Sequence, residues 1–266
     1  MVILENQKTN GLVAKTVAVL RSVAASDSIG LSAVARAVGI SKATTLGILT
    51  ELSAQGVVRQ DERKNYRIGF SIIGLMPAQV NQGELRHAIA SELDELAQRT
   101  DETVGIDVLV GAEVVVIAQA TGSQLIAQLP KPVPRNLPTW CTSTGKVLLA
   151  ALSDNEITAR HGRAIDEFRR NSHGKDLLVE LARVRSDCVG VARNELTEGA
   201  SAIAVPVIVD GVTEAAVWLG GPSERVFSVA IEDHKRNLES ASESIARILK
   251  AFRSAQVGQG DLVNVI

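Results

Sequence analysis

Between residues 31 and 52 two apolar stripes of helical period are separated only by Gly39, Ile40 and Ser41, and no other feature narrows the fold so far. The first stripe holds Val34, Ala35 and Val38. It begins behind Ser32, a residue whose hydroxyl can cap a helix by accepting from orphan backbone N–H groups. Gly39 can take the positive φ that ends a helix, and Ser41 is a second capping residue that opens the next stripe, Leu46, Leu49 and Leu52. Helices joined by so short a turn must cross steeply. Ala35 is small where they touch, and Val34, Val38, Ile40 and Ile48 supply the packing, which reads as a helix-turn-helix. An upstream stripe within Leu12 to Ala24, made of Val13, Val17, Leu20 and Val23 or Ala24, with Lys15 and Arg21 off it, supplies the preceding helix.

A helical hairpin with no role on DNA satisfies the same pattern, and the next segment separates the two readings. Gly56 ends the third helix. Val57 to Gln60 and Tyr66 to Ile68 then read as two short strands around the polar loop Asp61 to Asn65. Arg63 and Lys64 stand at the loop tip with Arg59 and Arg67 flanking. A hairpin in this place is a wing, and basic wing tips commonly lie against phosphates, although Arg63 and Lys64 also suit ordinary surface charges.

Charge follows the same division. Residues 1–76 carry nine Lys or Arg against five Asp or Glu, whereas the rest of the 266 residues carry nineteen against twenty-five. A small basic module tied to a larger acidic one fits a nucleic-acid reader joined to a domain with another task. Met1 to Leu4 is followed at once by Glu5, Asn6, Gln7 and Lys8, so neither a basic n-region nor a signal h-region stands there. No run approaches the ~18 to 20 apolar residues of a membrane span, and a cytoplasmic protein without a membrane partner is expected. Cys141 and Cys188 lack metal-ligand or redox spacing, which argues against a disulfide framework and a zinc site.

Beyond the wing, Ser71 to Gln82 mixes Ile72, Ile73, Leu75 and Met76 with Pro77, and Gly83 follows, as an interrupted connecting helix would. Glu84 to Arg99 is an amphipathic helix with Ile89, Leu93 and Leu96 on one side. Thr103 to Val110 and Glu113 to Ala120 form a predicted hairpin around Gly111 and Ala112, and Ala202 to Val209 and Thr213 to Gly220 a second around Asp210 and Gly211. Between them lie a Pro-rich loop from Pro130 to Pro138, a helix from about Ser143 to Leu152, a charged middle region, and a helix around Leu177 to Ser186. A long helix from about Ile231 to Phe252 closes the domain. An antiparallel sheet with helices segregated around it makes the second part α+β.

The chain resembles the IclR family of bacterial transcriptional regulators over roughly Leu12 to Phe252. In the first domain the resemblance is carried by Leu31 to Leu52, with Val38-Gly39-Ile40-Ser41-Lys42-Ala43-Thr44, and by Tyr66-Arg67-Ile68-Gly69. In the second it is carried by Asp101-Glu102-Thr103-Val104, by Thr144-Gly145-Lys146-Val147-Leu148-Leu149-Ala150, by Glu195 to Pro206 and by Gly221-Pro222. It implies an α+β protein: an N-terminal winged helix-turn-helix over residues 1–70, a linker helix over 71–83, a GAF-like effector-binding domain with an antiparallel sheet over 84–255, and a tail over 256–266. The implied partners are double-stranded DNA with an inverted-repeat operator, a small organic acid effector, often aromatic, and further copies of the chain in a dimer or tetramer. The expected activity is transcriptional repression modulated by that effector.

Carried over by position, Ser41, Lys42, Ala43, Thr44 and Thr45 fall at the start of the recognition helix, and Lys15, Ser32, Arg59, Arg63 and Lys64 join them as DNA-binding candidates. Gly47 departs from the pattern, since the family usually presents an arginine there. Weakened DNA binding in a protein that only senses a ligand is therefore an alternative. The effector candidates are Cys141, Thr142, Ser143, Thr144, Asn194, Glu195, Ser201, Ala202, Ile203 and Trp218. Ser143 and Thr144 sit at a helix start, where free N–H groups and the dipole favour a carboxylate. Trp218 either stacks on an aromatic ligand or plugs the cavity as core.

No enzyme is expected, and no catalytic residue, cofactor or metal. Thr144-Gly145-Lys146 matches part of a phosphate loop, but that motif needs Gly at the position of Trp140 and Ser or Thr at that of Val147. His87, His161, His173 and His234 lack ligand spacing.

Overall fold

Helix α1 (Leu12–Ala24) buries Val19 and Val23 and packs Leu20 against the core, so the C-terminal half of the predicted stripe faces inward, while Val13, 78% exposed, and Val17, 43%, do not. The computed structural model describes residues 11–26, 28–69, 71–72, 84–123 and 133–260; residues 70–252 form one compact unit, and residues 11–69 belong to the other. The connecting helix expected over 71–83 lies outside the described residues but for Ser71 and Ile72, as do residues 130–132 of the Pro-rich loop.

In the first unit α2 (Leu31–Val38) is capped by the backbone of Gly30 and not by Ser32, which lies exposed one residue inside the helix. Gly39 has φ 74° and donates its N–H to the Ala35 carbonyl, and Ile40 shares that acceptor, which bends the chain sharply into α3 (Lys42–Ala54). Ser41 caps α3 by accepting from the Thr44 N–H at 3.1 Å. Val19, Val23, Val34, Ile48, Leu49, Val58 and Tyr66 form the core of the unit. Leu46, expected on the packed stripe, is 45% exposed because Thr45, Ile48 and Leu49 take the inward positions.

The wing is β1 (Val58–Gln60) against β2 (Tyr66–Ile68), with Arg59 opposite Arg67. Ile29 adds an antiparallel bridge to Tyr66. Asp61 pins the loop, since its carboxylate accepts from Ser28 Oγ at 2.6 Å and from the Asn65 N–H at 2.8 Å. Against the rise that burial would cause, these hydrogen bonds, helped by the Arg67 guanidinium, hold the Asp61 carboxyl below its ordinary range. Arg67 is itself buried, which withdraws it from the exposed charges of the wing.

The second unit is built on a six-stranded antiparallel sheet in the order β5-β4-β3-β8-β7-β6. Its strands are β3 (Thr103–Val110), β4 (Glu113–Thr121), β5 (Arg135–Pro138), β6 (Gly190–Arg193), β7 (Ala200–Val209) and β8 (Val212–Pro222). Both predicted hairpins are present, β3 with β4 and β7 with β8. The end of the expected Pro-rich loop is a strand instead. An edge position tolerates proline there, because an edge strand has one side with no ladder bonds to make. The charged middle region folds into α6 (Asp154–Arg160) and α7 (Gly162–Asn171), α6 opening with a capping box between Ser153 and Glu156.

Alternation along the strands divides the unit into two cores. Val104, Ile106 and Val108 of β3, Ile203, Val205 and Val207 of β7, and Val217 and Leu219 of β8 pack under α4 (Glu84–Thr100) and α10 (Ile231–Gly260). Leu109, Ala204 and Ala216 turn to the opposite face and meet α5 (Ser143–Ala150), α7 and α8 (Leu177–Asp187). This second face is poor in bulk: the cross-strand set Gly105, Ala202, Ala204, Ala216 and Gly220 leaves space there, and Trp218 is the large side chain among them. A Cβ on Gly105 would lie 2.7 Å from Trp218 Cζ2, so the indole lies across β3 only because residue 105 has no side chain.

Candidate functional site

The exposed residues of α3 include Lys42, Ala43, Leu46, Gly47, Thr50 and Glu51, with Ser41 and Thr44 at its start. Lys42 is the helix's one basic residue, and Ala43, Leu46 and Thr50 offer methyl groups of the kind that contact thymine methyls in a major groove. Thr45 must be removed from the predicted contacts. It is fully buried and its hydroxyl donates back to the Ser41 carbonyl at 2.9 Å, because the residue after Thr44 points inward on this helix. Ser32, Arg63 and Lys64 are exposed, and Lys15 and Arg59 half-buried. Gly47 sits in open space, with nothing within 4 Å of an added Cβ.

The second unit holds a cavity of about 80 Å³ between the bulk-poor face of the sheet and the start of α5. Cys141, Thr142, Ser143 and Thr144 form one wall, as expected, and Ser201, Ala202 and Trp218 another. Thr142 is consumed by structure: it caps α5 by accepting from the Gly145 N–H at 3.1 Å and donates to the Pro138 carbonyl at 2.8 Å. Among the described residues no backbone carbonyl takes the N–H groups of Ser143 and Thr144, which leaves two donors at a helix start that borders the cavity. Gly190 lets β6 run close against this start, since a Cβ there would lie 2.4 Å from the Ser143 carbonyl. Burial, with the Glu195 charge, pushes the Cys141 thiol up to about 11, so it lines the wall as a neutral, unreactive group.

Three expected effector residues do not line the cavity. Ile203 is turned by strand alternation into the core under α4 and α10, since its neighbour Ala202 faces the cavity. Glu195 accepts from Lys146 Nζ at 2.6 Å, a lysine 2% exposed that also donates to the Val191 carbonyl and to Glu180. Asn194 accepts a hydrogen bond from Ser223 Oγ at 2.5 Å and takes φ 58°, which makes it a turn residue.

The cavity's strongest polar feature had no place in the sequence reading. Asp107 of β3, 2% exposed, lines it and accepts from Thr144 Oγ1 and from Trp218 Nε1, each at 2.7 Å. Burial pushes its carboxyl up to about 7 from the ordinary 3.8, against the opposing pull of those hydrogen bonds and of the Arg135 guanidinium. Arg135 of β5 lines the same cavity and donates to Gln119 Oε1 at 2.7 Å. Leu137, Leu196, Thr197 and Ala200 also line it. A single acid in the otherwise apolar run Thr103 to Val110 was the available signal for Asp107; Arg135, inside a stretch read as loop, gave none.

The profile of the bacterial transcriptional regulator IclR C-terminal domain matches residues 78–247, and that of the IclR helix-turn-helix domain matches residues 12–62. The chain belongs to the IclR family. Curated relatives of this IclR-family regulator include XynR of Escherichia coli, 28% identical over 81% of this chain and 87% of that one. KdgR of Escherichia coli is 25% identical over 94% of this chain and 93% of its own length. Both are HTH-type transcriptional regulators. Among solved structures, an IclR homologue of Microbacterium hydrocarbonoxydans complexed with 4-hydroxybenzoate shares the fold. It has a TM-score of 0.55 at 21% identity, covering 91% of this chain and 100% of that one. The Thermotoga maritima IclR does likewise, with a TM-score of 0.54 at 21% identity over 88% and 98% of the two chains. The protein is thus an IclR-family transcriptional regulator with a helix-turn-helix domain and an IclR C-terminal domain. No helix among the described residues is long and apolar enough to cross a membrane.

Proposed function

We propose that this regulator is a cytoplasmic repressor that binds an inverted-repeat operator as a dimer or tetramer and is modulated by a small aromatic acid. The observation that carries the effector half is the cavity itself. Two free N–H groups at the start of α5 and the Arg135 guanidinium suit an anion, while Trp218, Leu137 and Leu196 offer an apolar body to a ring. The relative that carries 4-hydroxybenzoate supports the same ligand class.

The DNA half rests on the exposed start of α3 and the basic wing tip. The exposed Leu12, Val13 and Val17 on α1 support assembly with a second copy, which an inverted repeat requires. We assign DNA binding to residues 1–70, a linker to 71–83 and effector binding to 84–255. The effector must bind DNA-competent and incompetent states unequally, because equal affinity shifts nothing.

Fluorescence anisotropy with DNA from the protein's own upstream region tests the reading, with and without single-ring and aliphatic acids. Specific binding that an acid relieves is expected. Binding to that DNA no tighter than to an unrelated duplex would favour the second reading, a ligand sensor with weakened DNA binding, for which Gly47 and the single cation on the recognition helix speak.

A further inference from the structure

We propose that Asp107 reads a hydrogen-bond donor on the effector, so that the cavity selects organic acids carrying a hydroxyl or amino group over acids of the same size without one. This rests on the acid-binding reading above and adds a second recognition point to it.

A carboxylate can accept about four hydrogen bonds. Among the described residues Asp107 takes two, one on each oxygen, from Thr144 and Trp218. At 2% exposure solvent does little to satisfy the rest, and Asp107 lies on the cavity wall, so the unspent acceptor capacity is available to a molecule inside. An acid group cannot use it, since two anions repel at short range in a poorly solvated space. A donor can. Arg135 lines the same cavity and provides the opposite charge for the acid end, so the two side chains together define a ligand with a donor at one point and an anion at another.

Packing does not account for a carboxylate at this position. Its strand neighbours facing the same way are Gly105 and Leu109, and a neutral amide there would accept from Trp218 or Thr144 without the cost of burying an acid. That cost is visible in a carboxyl held near neutrality by burial. The other titratable groups on the cavity wall are Arg135 of β5 and Cys141 before α5. The guanidinium keeps its charge and the thiol stays neutral near pH 7. From the segment after β6, Glu195 is held by Lys146 of α5, away from the cavity. Asp107 is therefore the group whose protonation changes the site between about pH 6 and pH 8.

The test is calorimetry on the full chain with benzoate and its ortho, meta and para hydroxy derivatives, and with propionate and lactate, at about pH 8 and about pH 6. The parent protein at the higher pH is expected to bind at least one hydroxylated acid about ten- to a hundredfold more tightly than the matching unhydroxylated one, as a donor to a charged acceptor should. That ratio should shrink at the lower pH, where Asp107 takes up its proton, a measurement that needs no variant. Asp107→Asn should lose the preference, read as the ratio of the two affinities within each pair. Equal affinities within every pair, or a preference that survives unchanged in Asp107→Asn, would overturn the donor assignment and leave the acid-binding reading standing. Failure of every acid to bind would overturn that reading and the donor assignment with it.

Discussion

Replacing Asp107 by Asn should change how stability depends on pH, and the size of the effect can be worked from the site. Asn is nearly isosteric, keeps an oxygen that accepts from Trp218 or Thr144, and cannot ionise. In the parent protein burial raises the carboxyl from 3.8 to about 7. Between these values the folded chain holds a proton that the unfolded chain has released. A raised value stabilises the fold fully below about pH 4, and the contribution is lost as pH rises through about 7. Each factor of ten in proton affinity is worth about 1.4 kcal/mol, so the loss approaches about 4 kcal/mol. Asp107→Asn removes the dependence. Its stability relative to the parent should therefore climb between about pH 4 and pH 7 and level off above about pH 8. At a urea slope of roughly 2 kcal/mol per molar, the midpoints should separate by up to about 2 M. The chain's two tryptophans, Trp140 and Trp218, both belong to the second unit, so their emission follows that unit alone. A midpoint difference that stays constant across the pH range would refute the claim that Asp107 is a costly buried acid.

Gly47→Ala should stabilise the first unit by about 1 kcal/mol in thermal denaturation, because a helical glycine is replaced where an added Cβ meets nothing. Gly47→Arg should tighten operator binding in anisotropy titrations and steepen the log–log salt dependence by about 0.9 for each phosphate gained. The double replacement of Lys42 and Arg63 by Ala should weaken binding and flatten that slope, and an unchanged slope would take both out of the interface. Gly105→Ala puts a Cβ 2.7 to 2.8 Å from the Trp218 ring and the Ala118 carbonyl. It should cost about 1–3 kcal/mol in urea denaturation, displace the indole and shift its emission.

How far the sequence could be read depends on whether a local pattern settles the matter. Gly39, Ser41 and Gly56 each impose a backbone geometry by their own chemistry, and the turn, the cap and the helix end stand where those residues predict. The hairpins of the second unit were legible for a similar reason, since β-rich runs flank Gly111 and the pair Asp210-Gly211, whose glycines both take positive φ. The faces of helices were less legible. Val13, Val17 and Leu46 have the same apolar character as Val19, Val23 and Leu49, and only the tertiary partners decide which are covered. Short helices in charged sequence, α6 and α7, escaped because their apolar residues, Ile157, Ala164 and Phe168, are too sparse to form a stripe.

The candidate site in the second unit divides along the same line. Cys141 to Thr144, named by resemblance to the family, do border the cavity, and for Ser143 and Thr144 a helix start, a local event, gave an independent physical reason. The wall contributed by the sheet depends on which face of each strand looks toward α5. Along β7 an error of one residue exchanges Ile203 for Ala202 and moves a side chain from the cavity to the opposite core. Asp107 and Arg135 come together only through pairing of β3, β4 and β5, which brings chain separated by Gly111 and the Pro-rich segment to one side of the sheet. Small residues complete the site in a way no single position discloses. Gly105, Ala202 and Gly220 each read as a weak strand residue alone, but side by side across β3, β7 and β8 they create both the space for a ligand and the bed on which Trp218 lies. Asp107 also holds Trp218 in place: its carboxylate accepts from Nε1 and fixes the indole against Gly105, and the flat face so held lines the cavity.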